Sequence, residues 1–273
     1  MKPTLDVVKW SAVAAVAGAI ALAACAKPDT PPADTPATAP AAAAAPNMVT
    51  FTAKDFSFEG PDSIPAGLTM FHLNAAGQEL HHFQLIKLEE GKTYDDFVAA
   101  SKTQGPPPTW AVPYGGVNPP VPGGMAVATQ VMEPGNYAVV CFVDTPDKVP
   151  HIAKGMTKPL TVTSTPNANM TEPTADVTMS LNDYSFTLSK PLAAGRQVIK
   201  VENLSAAQPH EVSLIQLAPG KPLGGIPALA KGKNTFFDAS LEPGTYALIC
   251  FVPDVKDGKA HHQHGMIQEI KVS

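Results

Sequence analysis

A chain of 273 residues has room for two domains of ordinary size, each with a core of its own. Its 29 prolines, 20 glycines and 16% charged residues point to short elements joined by many turns and speak against long helices. The net charge of −5, with no Lys/Arg block anywhere, leaves no electrostatic footprint for nucleic acid.

Residues 1–25 read as a secretion signal. Lys2 and Lys9 supply positive charge, residues 11–24 are small and apolar, and the run ends in Leu22-Ala-Ala-Cys25. The run is too short to span a bilayer comfortably. Its last four residues resemble the lipobox of bacterial lipoproteins, which implies lipidation of Cys25 and a chain anchored in the bacterial cell envelope. An ordinary cleaved signal is the alternative. Residues 26–47 are Ala/Pro-rich with almost nothing large and apolar to bury, so they read as an extended tether.

From residue 48 the pattern becomes short alternating strands: MVTFTAKDFSF, LTMFHLNAAG, HHFQLIKL, MAVATQVM and YAVVCFV, each broken by Gly, Pro or polar residues. Only residues 93–102 read as a short helix, with Tyr94, Phe97 and Val98 on one side. This is the pattern of an all-β sandwich or barrel. After a polar linker, residues 164–175, a second copy fills residues 176–273. Asp55-Phe-Ser-Phe58 matches Asp183-Tyr-Ser-Phe186, and the stretch from His81 to Leu88 matches that from His210 to Leu217. Glu133-Pro-Gly-Asn-Tyr137 matches Glu242-Pro-Gly-Thr-Tyr246, and Cys141-Phe-Val143 matches Cys250-Phe-Val252. Tyr137 and Tyr246 are expected to cap a backbone group at a sandwich corner. The histidines lie 129 residues apart and the cysteines 109, so the second copy is 20 residues shorter between them. The Pro/Gly-rich residues 105–124, with Trp110 and Tyr114, are expected to be the part it lacks, forming a loop laid over something.

Each copy ends in a thiol, a loop, an imidazole and, after four more residues, a thioether. In the first copy these are Cys141, His151 and Met156, joined by the earlier His81; in the second they are Cys250, His261 and Met266, joined by His210. Two imidazoles, one thiolate and a thioether form the ligand set of a type 1 copper centre, so one copper per domain is expected. Taken singly, a Cys or Met in an apolar strand is usually core; the same order twice is hard to explain as packing. A disulfide between Cys141 and Cys250 is disfavoured because they occupy equivalent points of two repeats. His81 is preferred over His82 because only His81 has a histidine opposite it, which leaves His82 solvated. His261 is preferred over His262 and His264, which are left as surface groups or an added copper-capture site. Asn74 and Asn203, just ahead of the early histidine in each copy, suit a turn role or a hydrogen bond to the site.

This arrangement resembles the cupredoxin family of blue copper proteins, such as plastocyanin and azurin. The likeness covers both copies and implies two tandem cupredoxin-like Greek-key β-sandwiches. One departure stands out. Nine residues separate Cys141 from His151 and ten separate Cys250 from His261, where plastocyanins have only a few. Neither cysteine is preceded by His, since Val140 and Ile249 stand there, so the His-Cys link to a catalytic copper is missing. The resemblance therefore implies electron transfer rather than an enzyme, redox partner proteins in the cell envelope, and electron access at solvent-side edges of His151 and His261. The rival expectations are copper storage or delivery, and a metal-free interaction module.

Overall fold

The computed structural model describes residues 45–103, 107–166 and 171–273. The signal, the lipobox with Cys25 and nearly all of the tether lie outside the described residues. The first copy forms β1 (Asn47–Lys54), β2 (Ser57–Glu59), β3 (Ser63–Ala75), β4 (Phe83–Leu88), α1 (Tyr94–Ser101), β5 (Ala111–Val117), β6 (Met125–Met132), β7 (Gly135–Val140) and β8 (Thr157–Pro166). The second forms β9 (Val177–Asn182), β10 (Ser185–Leu188), β11 (Gly195–Asn203), β12 (His210–Gln216), β13 (Lys221–Leu229), β14 (Asn234–Leu241), β15 (Gly244–Ile249) and β16 (Ile267–Val272).

Both copies build the same two-sheet β-sandwich. Strand order is β2-β1-β3-β6 and β8-β7-β4-β5 in the first, and β10-β9-β11-β14 and β16-β15-β12-β13 in the second. In each, the opening strand pairs in parallel with the third, β1 with β3 and β9 with β11. Strict alternation explains the strands: in β9, Val177, Met179 and Leu181 are buried while the residues between them are not. Tyr137 and Tyr246 donate their hydroxyls to the carbonyls of Glu133 and Glu242 at 2.8 and 2.7 Å, as expected of corner tyrosines.

The sheets run on across the repeat boundary. β6 pairs with β14 through Phe236 opposite Thr129 and Phe237 opposite Ala128, and β5 pairs with β13 through Tyr114 opposite Leu229. A single buried apolar cluster draws on both copies, from Val49 to Val272. β8 extends to Pro166, beside β3, and so takes up the first residues expected as linker.

The helix lies where the sequence places it. Thr93 caps its N-terminus, accepting from the Asp96 amide at 3.1 Å, while the Asp96 carboxylate accepts from the Thr93 amide at 2.9 Å. Phe97 and Trp110 belong to a satellite cluster with Ile86, Leu88 and Val140. Residues 105–124 are not simply a loop: residues 111–117 form β5, antiparallel to β4. Nor are residues 111–124 what the second copy lacks. Gly115-Gly116 in β5 matches Gly224-Gly225 in β13, 109 residues on, the same separation as the cysteines. The 20-residue difference therefore falls earlier, between β4 and β5, where the first copy inserts α1.

Candidate metal centre

Cys141 lies one residue past the end of β7, and the chain then loops out and returns. The Asp144–Pro150 bridge closes the loop, and the His151 amide donates to the Val143 carbonyl at 2.9 Å. A 3-10 turn over His151–Lys154 ends at Gly155, whose φ of 93° reverses the chain. The Met156 amide then reaches the His151 carbonyl at 3.0 Å, and the Cys141 amide reaches the Met156 carbonyl at 3.2 Å. The second copy repeats this with a turn over His261–His264, Gly265 at φ 104°, and a Pro253–Ala260 bridge. The turn fixes the His-to-Met spacing, and the bridged loop absorbs the extra residue.

The remaining imidazole comes from the other side. His81 immediately precedes the β4 region and His210 opens β12. In each copy the His Nδ1, Cys Sγ and second His Nδ1 atoms lie within 4.8 Å of one another. The paired Nδ1 atoms stand 2.9 Å apart, and each Sγ is 3.4 Å from the nearer Nδ1, that of His151 or His261. All six side chains, with Met156 and Met266, are fully buried. Cys141 and Cys250 are free thiols.

Carboxylates reach the far side of the first pair of rings. His81 Nε2 is 2.8 Å from Asp55 Oδ1, and His151 Nε2 is 2.8 Å from Glu79 Oε2. An ionised carboxylate only accepts, so both Nε2 atoms carry the hydrogen. In neutral rings that leaves two Nδ1 lone pairs aimed at each other at 2.9 Å, beside a sulfur. Such a meeting is unfavourable in the metal-free chain, held there by the two carboxylates, and is relieved when a cation sits between the rings; the same group of donors suits copper. Burial supports the neutral form: it lowers the pKa of His81 and His210, and it brings His261 down to about 4 with help from the charge of His210. Burial pushes the Cys141 thiol up to about 12 and raises that of Cys250, so a metal must displace the proton.

The neighbouring residues also take part. His82 is half-buried rather than freely solvated: its Nε2 accepts from the Phe142 amide at 2.8 Å, and burial pushes its pKa down to about 3. Alternation does send it away from the donors, but toward the backbone just after Cys141. Glu211 does the same for the Phe251 amide at 2.8 Å, and its own amide points at Cys250 Sγ, 3.4 Å away. Burial raises the Glu211 carboxyl to about 7. His262 and His264 join neither donor group. His262 Nδ1 is 3.3 Å from the Cys250 carbonyl, and His264 pairs with Asp257 at 3.2 Å.

The expected solvent-side edges of His151 and His261 are absent. Both rings are fully buried because the residue after each turn aspartate folds over them. Phe56, at φ 66°, stands edge-on to His151 with centroids 5.2 Å apart, and Tyr184, at φ 60°, covers His261 at 5.4 Å. Asp55, Phe56, Glu79, Tyr184 and Asp254 were not singled out as site residues from the sequence. The matching Asp-Phe-Ser-Phe and Asp-Tyr-Ser-Phe motifs were visible there, but only as markers of the repeat. Asn203 takes the turn role: it donates to the Gln208 and Leu229 carbonyls at 3.1 and 2.7 Å and accepts from the Ser205 amide at 3.0 Å, fastening the loop ahead of His210.

No family model matches the chain, and no curated protein matches it. Solved structures do. Dithionite-reduced auracyanin from Roseiflexus castenholzii aligns over 44% of this chain and 98% of its own, at 18% identity and a TM-score of 0.30. Auracyanin A, a blue copper protein of Chloroflexus aurantiacus, aligns over 43% of this chain and 99% of its own, at 17% identity and a TM-score of 0.29. A multicopper oxidase aligns over 83% of this chain and 88% of its own, at 14% identity and a TM-score of 0.26. In the chain itself, each repeat brings a His-Cys-His set and a buried Met to one place, and these sets fit two cupredoxin-like type 1 copper sites, one per repeat.

Proposed function

We propose that the chain is a one-electron carrier of the bacterial cell envelope, anchored through a lipid on Cys25 and exchanging electrons with redox partner proteins there. The observation that carries this reading is the burial of every donor: no ligand side chain has accessible surface, which suits exchange of electrons better than binding of a substrate. Copper held by these residues supplies the one-electron couple. His81, Cys141, His151 and Met156 would hold it in the first repeat, and His210, Cys250, His261 and Met266 in the second. The cavity of about 570 Å³ lined by Lys87, Tyr114, Glu133 and Lys233 includes none of them. With both rings covered, Phe56 would stand between His151 and solvent in the first repeat, and Tyr184 between His261 and solvent in the second.

The test is the visible spectrum and metal content of the purified chain loaded with Cu(II), beside Cys141→Ser and Cys250→Ser. The expected result is an intense thiolate-to-copper band that bleaches reversibly on reduction, falls by roughly half in each variant and vanishes in the double variant. Bound copper with no such band, or more than two coppers per chain, moves the protein to storage or delivery. No bound copper removes the electron-transfer reading altogether.

A further inference from the structure

The two sites have the same donors but different supports. In the first, Asp55 and Glu79 each sit 2.8 Å from an imidazole Nε2. In the second, Asp183 reaches His210 Nε2 only at 3.5 Å, and Gln208 stands at the position equivalent to Glu79. The nearest acid to His261 Nε2 is Asp254, at 3.8 Å. Its carboxylate is engaged elsewhere: Tyr184 donates its hydroxyl to it, Gln208 Nε2 donates at 3.1 Å and the Lys256 amide at 2.7 Å. As a result, His261 Nε2 and Gln208 Oε1 are both buried without a partner. No acceptor within hydrogen-bond distance holds the hydrogen on His261 Nε2, so its Nδ1 can carry it toward His210 Nδ1, 2.9 Å away, whereas Glu79 keeps the hydrogen on His151 Nε2.

We propose that Asp55 and Glu79 are positioning residues that make the first repeat the tighter metal site, and that Gln208 leaves the second the weaker. The inference rests on the copper reading above. A ring locked with hydrogen on Nε2 offers Nδ1 to the metal with no tautomer to rearrange, and a carboxylate behind it makes that nitrogen a stronger donor. Loss of such a partner typically costs about 10–100-fold in metal affinity. The first site therefore fills first, and the single Glu-to-Gln difference accounts for much of the gap.

Two readouts test this. In long-range 1H–15N spectra of the metal-free chain at neutral pH, His81 and His151 should each show one tautomer, protonated at Nε2, while His261 shows a mixture. Glu79→Gln should turn His151 into a mixture too, which a purely structural role would not do. Cu(I) affinity is then measured by competition with a chromophoric chelator, on Cys250→Ser to read the first site and on Cys141→Ser to read the second. The first should bind about 10–100-fold more tightly, Glu79→Gln should lower it by about tenfold or more, and Gln208→Glu should tighten the second. Equal affinities, or a Glu79→Gln chain unchanged in both readouts, overturn the inference while leaving the copper reading intact. A chain that binds no copper at either site overturns both.

Discussion

At His81 the chemistry of the ring is settled by Asp55, a residue 26 positions earlier that the sequence offers only as part of a repeated motif. This is the scale at which reading from sequence both succeeds and stops. Cys141, His151 and Met156 come from one contiguous segment whose local hydrogen bonds bring them together, so their order and spacing are visible in the chain. Asp55 and Glu79 meet the rings only through tertiary packing and leave no local signal. His82 shows the same limit: alternation correctly turns it from the donors, but the amide it meets there belongs to the segment just past β7, 60 residues away. Asn203 was legible as a turn residue, and its burial gives it weight. Asn203→Ala removes three hydrogen bonds and strands buried backbone groups, at an expected cost of about 2–3 kcal/mol. Equilibrium urea unfolding measures it, and a loss below about 0.5 kcal/mol would show that the loop ahead of His210 holds by other contacts.

Among the elements, β5 was hidden by its own composition. Ala-Val-Pro-Tyr-Gly-Gly-Val reads as a string of breakers, because Pro and paired Gly weaken any strand. In the structure the glycines serve a bulge. Gly116 has φ 124°, and a Cβ there would lie 2.0 Å from the Phe83 carbonyl oxygen. Gly225 has φ 118°, and its Cβ would lie 2.1 Å from the Val212 carbonyl oxygen. Register shifts follow in the partner strands at the same place, between Gln84 and Ile86 and between Ser213 and Ile215. The close approach brings the strand that follows His81, and the one that His210 opens, against its neighbour, so fold and site share this contact. Gly116→Ala should destabilise the chain by about 3 kcal/mol or more, since backbone must move to admit the methyl group. Gly123→Ala, with φ 79° and nothing within 4 Å of the added carbon, should cost only about 1–2 kcal/mol. Denaturant midpoints of the two variants compare them directly, and equal losses would sink the steric account.

For the whole molecule, the repeat was plain in the sequence, but the way its halves join was not. Edge pairing between β5 and β13 and between β6 and β14 depends on which strand edges face each other, and alternation along a strand says nothing of that. The side chains that finish the junction are polar. Gln84 Nε2 donates to the Ala228 carbonyl at 3.0 Å, and Asn118 Nδ2 to the Val212 carbonyl at 3.0 Å, each tying one repeat to the other. Glu133 accepts from Lys87 of its own repeat and from Lys233 of the other, both at 2.6 Å, while Lys233 lies over the Tyr114 ring, 4.8 Å from its centroid. Hydrogen bonds from Lys233 and Lys87 hold the Glu133 carboxyl down to about 2, from an ordinary 4.5. A carboxyl whose pKa falls on folding adds stability that is complete above its unfolded value and disappears as pH drops toward its folded one. The contribution of this bridge should therefore fade between about pH 4.5 and pH 2. Glu133 is partly exposed, so salt and water screen the pair and the effect is modest. Glu133→Gln should melt lower than the parent chain at pH 7, with the gap narrowing steadily below pH 4.5. A gap that stays constant down to pH 2 would mean that the carboxylate charge adds nothing to the junction, and that the paired strands with Gln84 and Asn118 hold the repeats together unaided.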